Sequence, residues 1–443
     1  MTQDSAFYSS LTALPDHSGS SWRRTLPQQV MAWLPVTLFF PVGIMYAGIL
    51  LFYIALIVAG GWRENWLRLQ QHPLLRPVLL LSAVSLTIAL FQSRPAEIEN
   101  EFWPGLGHYQ TYLFLLPFLM LPAGAWQRRA VRLFLGAAVV AATLFVLNFF
   151  HLLPDNRLFH SYAMYLGNKS ILLGILLAIA AGWMLHELFL YKEHRWLRIL
   201  MLMYVVAALI FLSKTRTASL IFACFVLLMI CRNFRWSWRS MLFIGVLAAG
   251  LAAGCKLAAG LPRPASCVIN QVQAPPWELA QIRMLCTIQQ VKDFSEGRKS
   301  TDDDGMRAEI YRITAGLIME KPWSGHGIAS WVPNYRQRAQ GLSSASMTTP
   351  HNDYLLYATE LGMPGVLALL WIWIRQLLIA HGMRHHPDLQ VREKAMLLAM
   401  LTVAMLVGAM FNAILRDAVF GLAFMILLPL PLAGIQAEKN GRC

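Results

Sequence analysis

Apolar runs of bilayer length recur along this chain from residue 28 to residue 435, and they constrain its fold more than any other feature. A helix that crosses a bilayer needs about 20 apolar residues, and it must satisfy its backbone internally because no water is there to do so. Runs of that length, or nearly so, lie at 28–43, 44–61, 74–91, 106–124, 130–150, 167–190, 197–213, 216–231, 240–259, 352–380, 395–414 and 417–435. With 57% hydrophobic and 14% charged residues, an ordinary soluble domain is excluded. The expected fold class is therefore an all-α polytopic membrane protein with about twelve transmembrane helices and one large helical loop.

The net charge of +14 does not point to nucleic acid, because Lys and Arg fall mostly in short loops between apolar runs. Arg63, Arg68 and Arg76 follow the second run, Arg128, Arg129 and Arg132 the fourth, and Lys192, Arg195 and Arg198 the sixth. Arg232, Arg235 and Arg239 follow the eighth, and Arg375, Arg384, Arg392 and Lys394 cluster after the tenth. All fall on one side if the runs alternate, and basic loops mark the cytoplasmic side. The loop after the third run, on the other side, carries Glu97, Glu99 and Glu101 against Arg94. This reading gives a cytoplasmic tail at 1–26, helices at 27–259, a periplasmic loop at 260–350, helices at 351–436 and a cytoplasmic tail at 437–443. The start of the chain shows no short apolar core followed by a small-residue cleavage site, so the first tail reads as uncleaved.

The long loop holds most of the outer-side polarity. Pro262, Pro264, Pro275 and Pro276 keep its start irregular, and 277–294 can form a helix. Met306, Ile310, Ile313 and Leu317 recur at helical spacing and predict a helix over 306–320, ended by Pro322. Asp302, Asp303 and Asp304 precede it, where negative charge favours a helix N-terminus. They read either as a metal site or as a solvated acidic run. Residues 323–327, TrpSerGlyHisGly, read as a turn. Cys267 and Cys286 pair in an oxidising compartment or remain free thiols.

Several side chains have chemical potential. Lys214 and Arg216 sit in the turn SKTRTAS between two runs, where they either bind an anionic group such as a pyrophosphate or anchor at the interface. Arg307 shares a helical face with Tyr311 and Thr314, as a second phosphate clamp or as a surface ion-pair partner. Arg312 points to another face. Lys169 opens a run and either snorkels or faces a polar cavity. His351 follows Pro350, which is tolerated in the first turn of a helix. The helix's positive end disfavours imidazolium there, leaving a neutral ring able to take a proton; the bland alternative is an interfacial cap. His326, His160 and His108 compete with it. Glu360, farther along the same predicted helix, needs a partner and reads as structural.

These motifs together resemble the O-antigen ligase superfamily. HNDYLLYATELGMPG is similar to the family's signature, with His351, Asn352, Leu355, Glu360, Gly362 and Gly365 in the matching places. SKTRTASL resembles its Ser/Arg-Thr motif, and GMRAEIYRITAGLIMEKPWSGHG its Arg…Pro-x-x-Gly-x-Gly pattern. The resemblance covers residues 160–380 by motif and the whole chain by topology. It implies an inner-membrane glycosyltransferase of the GT-C type, acting in lipopolysaccharide biosynthesis without a metal or other cofactor. Its donor would be a glycan on undecaprenyl pyrophosphate, its acceptor lipid A–core, and its surroundings membrane lipid. Carried over, His351 is the base and Arg216 and Arg307 are pyrophosphate contacts; the family pattern leaves Lys214 and Lys169 undecided. An O-antigen polymerase shares this chemistry. A lipid-linked glycan transporter is the alternative of another class, but no internal repeat is visible.

Overall fold

The computed structural model of the protein describes residues 22–93, 95–154, 156, 158–159, 162, 168–213, 215–233, 275, 278, 281–282, 284–286, 288–289 and 303–436. These are helical or irregular, and no strand occurs among them. The first half runs α1 (Trp22–Trp33), α2 (Val42–Ala59), α3 (Trp62–Gln70), α4 (Leu75–Phe91), α5 (Ala96–Tyr109), α6 (Leu115–Leu119) and α7 (Ala125–Phe149). Then come α8 (Asn168–Leu190), α9 (Arg195–Ala207) and α10 (Arg216–Asn233). The second half holds α11 (Asp303–Glu320), α12 (Trp331–Arg338), α13 (Asp353–Glu360), α14 (Gly362–Met383), α15 (Leu389–Phe411), α16 (Ala418–Leu427) and α17 (Pro429–Leu432).

Six helices among the described residues are long and apolar enough to cross a membrane; the bent α3–α4 pair would make a seventh. The described residues thus form an all-helical, multi-pass membrane protein. The apolar run at 240–259 and the chain ends at 1–21 and 437–443 lie outside the described residues.

Several runs that read as single spans are broken, for identifiable reasons. Residues 34–39 continue α1 as a 3-10 helix with Pro35 in its first turn. The run 106–124 divides between α5, a 3-10 turn at Thr111–Phe114 and α6. The run 417–435 breaks where Pro429 starts α17, since proline cannot donate into the helix ladder. The run 352–380 divides at Leu361, and Gly362 takes the left-handed conformation with φ 67°.

Burial sorts the bundle. Helix α8 is its axis, with 78% of its apolar window enclosed against 17% for the helix starting at Arg195. It packs on α7, α9, α10 and α15. The outer helices present Leu50, Leu51, Ile57, Leu197 and Met203 outward, as lipid-facing helices do. The described part of the long loop has a second core of its own, formed by Ile310, Leu317, Trp331, Tyr335, Ala339 and Leu356. Ile310 and Leu317 carry the predicted 306–320 periodicity, and α11 ends at Glu320, two residues before Pro322. Trp331 stacks on Tyr335 at 4.5 Å within this core, and its Nε1–H donates to Thr314 of α11 at 3.1 Å. Cys286 is disulfide-bonded; Cys267 lies outside the described residues.

Candidate functional site

The candidate site lies where the loop body meets the last turn of α15. The carbonyl of Met410 accepts two hydrogen bonds, from the Tyr311 hydroxyl at 3.2 Å and from Asn352 Nδ2 at 3.0 Å. Two residues on, Asn412 Nδ2 donates to Thr217 Oγ1 at 3.1 Å. Tyr311 stands one helical turn after Arg307, Asn352 follows His351, and Thr217 follows Arg216. One short stretch, 410–412, therefore ties together the three segments that carry Arg307, His351 and Arg216.

His351 is not in the first turn of a helix. Helix α13 starts at Asp353, and Asn352 is its cap: Asn352 Oδ1 accepts the Leu355 N–H at 3.0 Å. The physical reason is that an Asn carboxamide satisfies an open first-turn amide, which an imidazole one residue earlier does not reach. His351 instead takes a left-handed backbone, φ 50°, and its N–H donates to Thr349 Oγ1 at 2.9 Å. A side chain held in that region is uncommon and concentrates at functional sites. The ring is half-buried and still adjacent to the positive end of α13. Because Asn352 both caps α13 and binds Met410, Asn352→Ala is expected to lower stability by about 1–2 kcal/mol. Thermal unfolding in detergent measures this; an unchanged midpoint would refute the double role.

The other candidates are placed as follows. Arg216 is the first residue of α10 and half-buried. Arg307 lies near the start of α11, half-buried, on the face of Tyr311 and Thr314. Thr314 is fully buried and accepts the Trp331 Nε1–H at 3.1 Å, so this face points into the loop body and the bundle end. Arg312 is exposed on another face. Lys169 belongs to α8, its side chain outside what the structure describes, and Lys214 lies outside the described residues. So do Arg94, His160 and Asp302; Asp303 and Asp304 open α11. His326 bonds through Nε2 to the Leu317 carbonyl at 2.8 Å, a structural tie.

A second junction supports the site from below. The backbone N–H groups of His326, Gly327 and Met363 donate to the carbonyls of Thr359, Glu360 and Pro322, at 2.7, 3.0 and 2.8 Å. Gly325 and Gly362 both have left-handed backbones, and they meet so closely that a Cβ on either would sit 2.4 Å from a carbonyl oxygen of the other segment. Buried Glu360 closes the junction. Its Oε2 accepts the Tyr109 hydroxyl at 2.7 Å and the Ala329 N–H at 3.0 Å, and its Oε1 the Trp331 N–H at 3.2 Å. Burial raises this carboxyl's pKa, while those three donors and the Arg416 charge pull it back. Asp353, also buried and ahead of the crossing helix α14, accepts the Leu415 N–H at 3.0 Å. Burial pushes it up to about 8 against the backbone amides of 414–416.

Arg416 is the residue that the sequence pattern did not single out. It stands between α15 and α16, half-buried, and its Nη1 donates to the Thr348 carbonyl, three residues before His351. The available signal was a lone Arg between two apolar runs.

A membrane helix bundle capped at one end by a docked helical body, with histidine and arginine segments at the seam, defines the class. Residues 199–370 match the family described as O-antigen ligase. That segment runs from α9 into α14 and contains all three motifs, so the likeness to that family rests on the part of the chain that carries the site. No curated protein matches the chain.

Proposed function

We propose that the protein is an O-antigen ligase. It transfers a glycan from undecaprenyl pyrophosphate to a sugar hydroxyl of lipid A–core at the periplasmic face of the inner membrane. The observation that carries this reading is the shared anchorage of the Arg216, Arg307 and His351 segments on residues 410–412. The basic loops support a cytoplasmic position for the opposite end of the bundle, and an even number of spans would bring both termini to that side.

The chemistry asks little of the protein. A pyrophosphate is a good leaving group, so the enzyme must balance the charge that develops on it and remove a proton from the acceptor. Arg216 and Arg307 do the first, with guanidinium groups that bind phosphate oxygens in pairs. His351 does the second as a neutral base. The acceptor oxygen forms its bond to the anomeric carbon as the bond to the pyrophosphate oxygen breaks, on opposite faces, which inverts that centre. The proton ends on His351 and the negative charge on undecaprenyl pyrophosphate. Arg312, Lys214 and Lys169 are secondary candidates for holding the donor.

Purified protein given lipid-linked glycan and lipid A–core is expected to form glycosylated core. Elongation of the lipid-linked glycan without transfer to core would make it a polymerase of the same superfamily. Arg216→Ala and Arg307→Ala are each expected to cost about 2–4 kcal/mol of transition-state stabilisation, read as a fall in the transfer rate per folded molecule. Losses confined to protein abundance would assign them to structure. Transfer is expected to persist in EDTA; loss restored by magnesium would point to the acidic run at 302–304 as a metal site.

A further inference from the structure

At the end of the bundle away from Met410 lies a cavity of about 520 Å³, walled by the start of α7, the end of α8, the start of α15 and Leu430. Lys394 lines it and is 16 residues before Met410 on α15, about 24 Å along the axis at 1.5 Å per residue. This cavity is therefore separate from the candidate transfer site.

Arg128 and Arg132, one turn apart on α7, line it with Lys394; Glu187 and Glu393 are its carboxylates. Both carboxylates accept hydrogen bonds from neutral donors. Trp183 Nε1–H donates to Glu187 at 3.1 Å, and the Tyr191 hydroxyl to Glu393 at 2.5 Å. Among the described residues, no carboxylate comes within ion-pairing distance of Arg128, Arg132 or Lys394. Three cations thus face one void with their charge uncompensated by direct contact. Arg128 and Arg132 are exposed at the mouth of the cavity and Lys394 is half-buried, so an entering anion meets three cations against the two carboxylates Glu187 and Glu393, a net attraction.

The volume is that of a small-ligand pocket. A phosphate diester offers oxygens to two guanidinium groups and an ammonium at once. Trp183, Leu397 and Leu430 add apolar wall beside the charges, suited to the glycerol and upper acyl segments that a free phosphate lacks. Basic pockets between membrane helices on the cytoplasmic side hold anionic headgroups in this way. We propose that this cavity binds the phosphate of an anionic phospholipid headgroup, away from the transfer site.

The test uses the full-length protein in detergent, with thermal unfolding measured alone and with added phosphatidylglycerol, phosphatidylcholine or inorganic phosphate. Phosphatidylglycerol is expected to raise the wild-type midpoint by several degrees, as binding to the folded state does. Phosphatidylcholine should give little rise, and the double variant Arg128→Gln/Lys394→Gln should lose most of the phosphatidylglycerol effect. Inorganic phosphate reproducing the whole rise in wild type, and none in the double variant, would overturn the lipid as ligand. An equal phosphatidylglycerol rise in wild type and variant would overturn the site itself. If the double variant does not fold, Arg132→Gln is compared with wild type by native mass spectrometry. Retained phosphatidylglycerol is expected to fall about tenfold there, and equal retention overturns the proposal.

Discussion

Replacing His351 with alanine is expected to lower glycan transfer by about 10²–10⁴-fold, the usual worth of a positioned general base, while the protein remains folded in the membrane. The local structure explains why the two effects separate. Helix α13 is capped by Asn352, not by the imidazole. The turn before it is held by the backbone N–H of His351 on Thr349, which any residue except proline can supply. The backbone at 351 is left-handed, so alanine adds some strain of its own. His351→Asn removes that ambiguity, because Asn tolerates the left-handed region and is no base at neutral pH. Both variants should be inactive, and the Asn variant should unfold at the wild-type midpoint. Full transfer by His351→Asn would remove the residue from the chemistry, and inactivity explained by lost protein would give it a purely structural part.

Local chemistry made much of the loop body legible before any coordinates. The spacing of Ile310 and Leu317 located α11, and Pro322 located its end. Long apolar runs revealed a helical membrane protein, because hydropathy reports what leaves water. Hydropathy reports nothing about continuity. Gly362 reads the same inside a straight helix as at a left-handed break, so 352–380 looked like one span. The cap at Asn352 was equally hidden, since Pro350 and Asn352 are both credible helix-start signals and only the backbone chooses between them. The joint anchorage at 410–412 depends on bonds spanning 58, 99 and 195 residues, and no local pattern encodes those. Arg416 was missed for the same reason: its value comes from Thr348 and Glu360, distant in sequence.

The largest loss of stability is expected at the junction built on Glu360. Glu360→Ala leaves the Tyr109 hydroxyl and the Ala329 and Trp331 amides without their acceptor. Each orphaned buried donor costs about 1–3 kcal/mol, reduced where water enters the space left by the side chain. Glu360→Gln keeps the shape and one acceptor oxygen, so its loss should be smaller, with one donor turned against another. Gly325→Ala attacks the same junction from the backbone. Its Cβ would stand 2.4 Å from the Glu360 carbonyl oxygen, at a φ of 65° that alanine rarely adopts. Neither strain can be relieved by a side-chain rotation, because the contacting atom is backbone, so the 322–327 turn must lift off the 359–363 segment. The two lesions break one unit, and Gly325→Ala/Glu360→Ala should cost clearly less than the sum of the single losses. Unfolding midpoints in detergent for the four proteins test this. Strictly additive losses would mean that the glycine contact and the carboxyl group support separate structures, and a wild-type midpoint for Glu360→Ala would remove the carboxyl as the link between loop body and bundle.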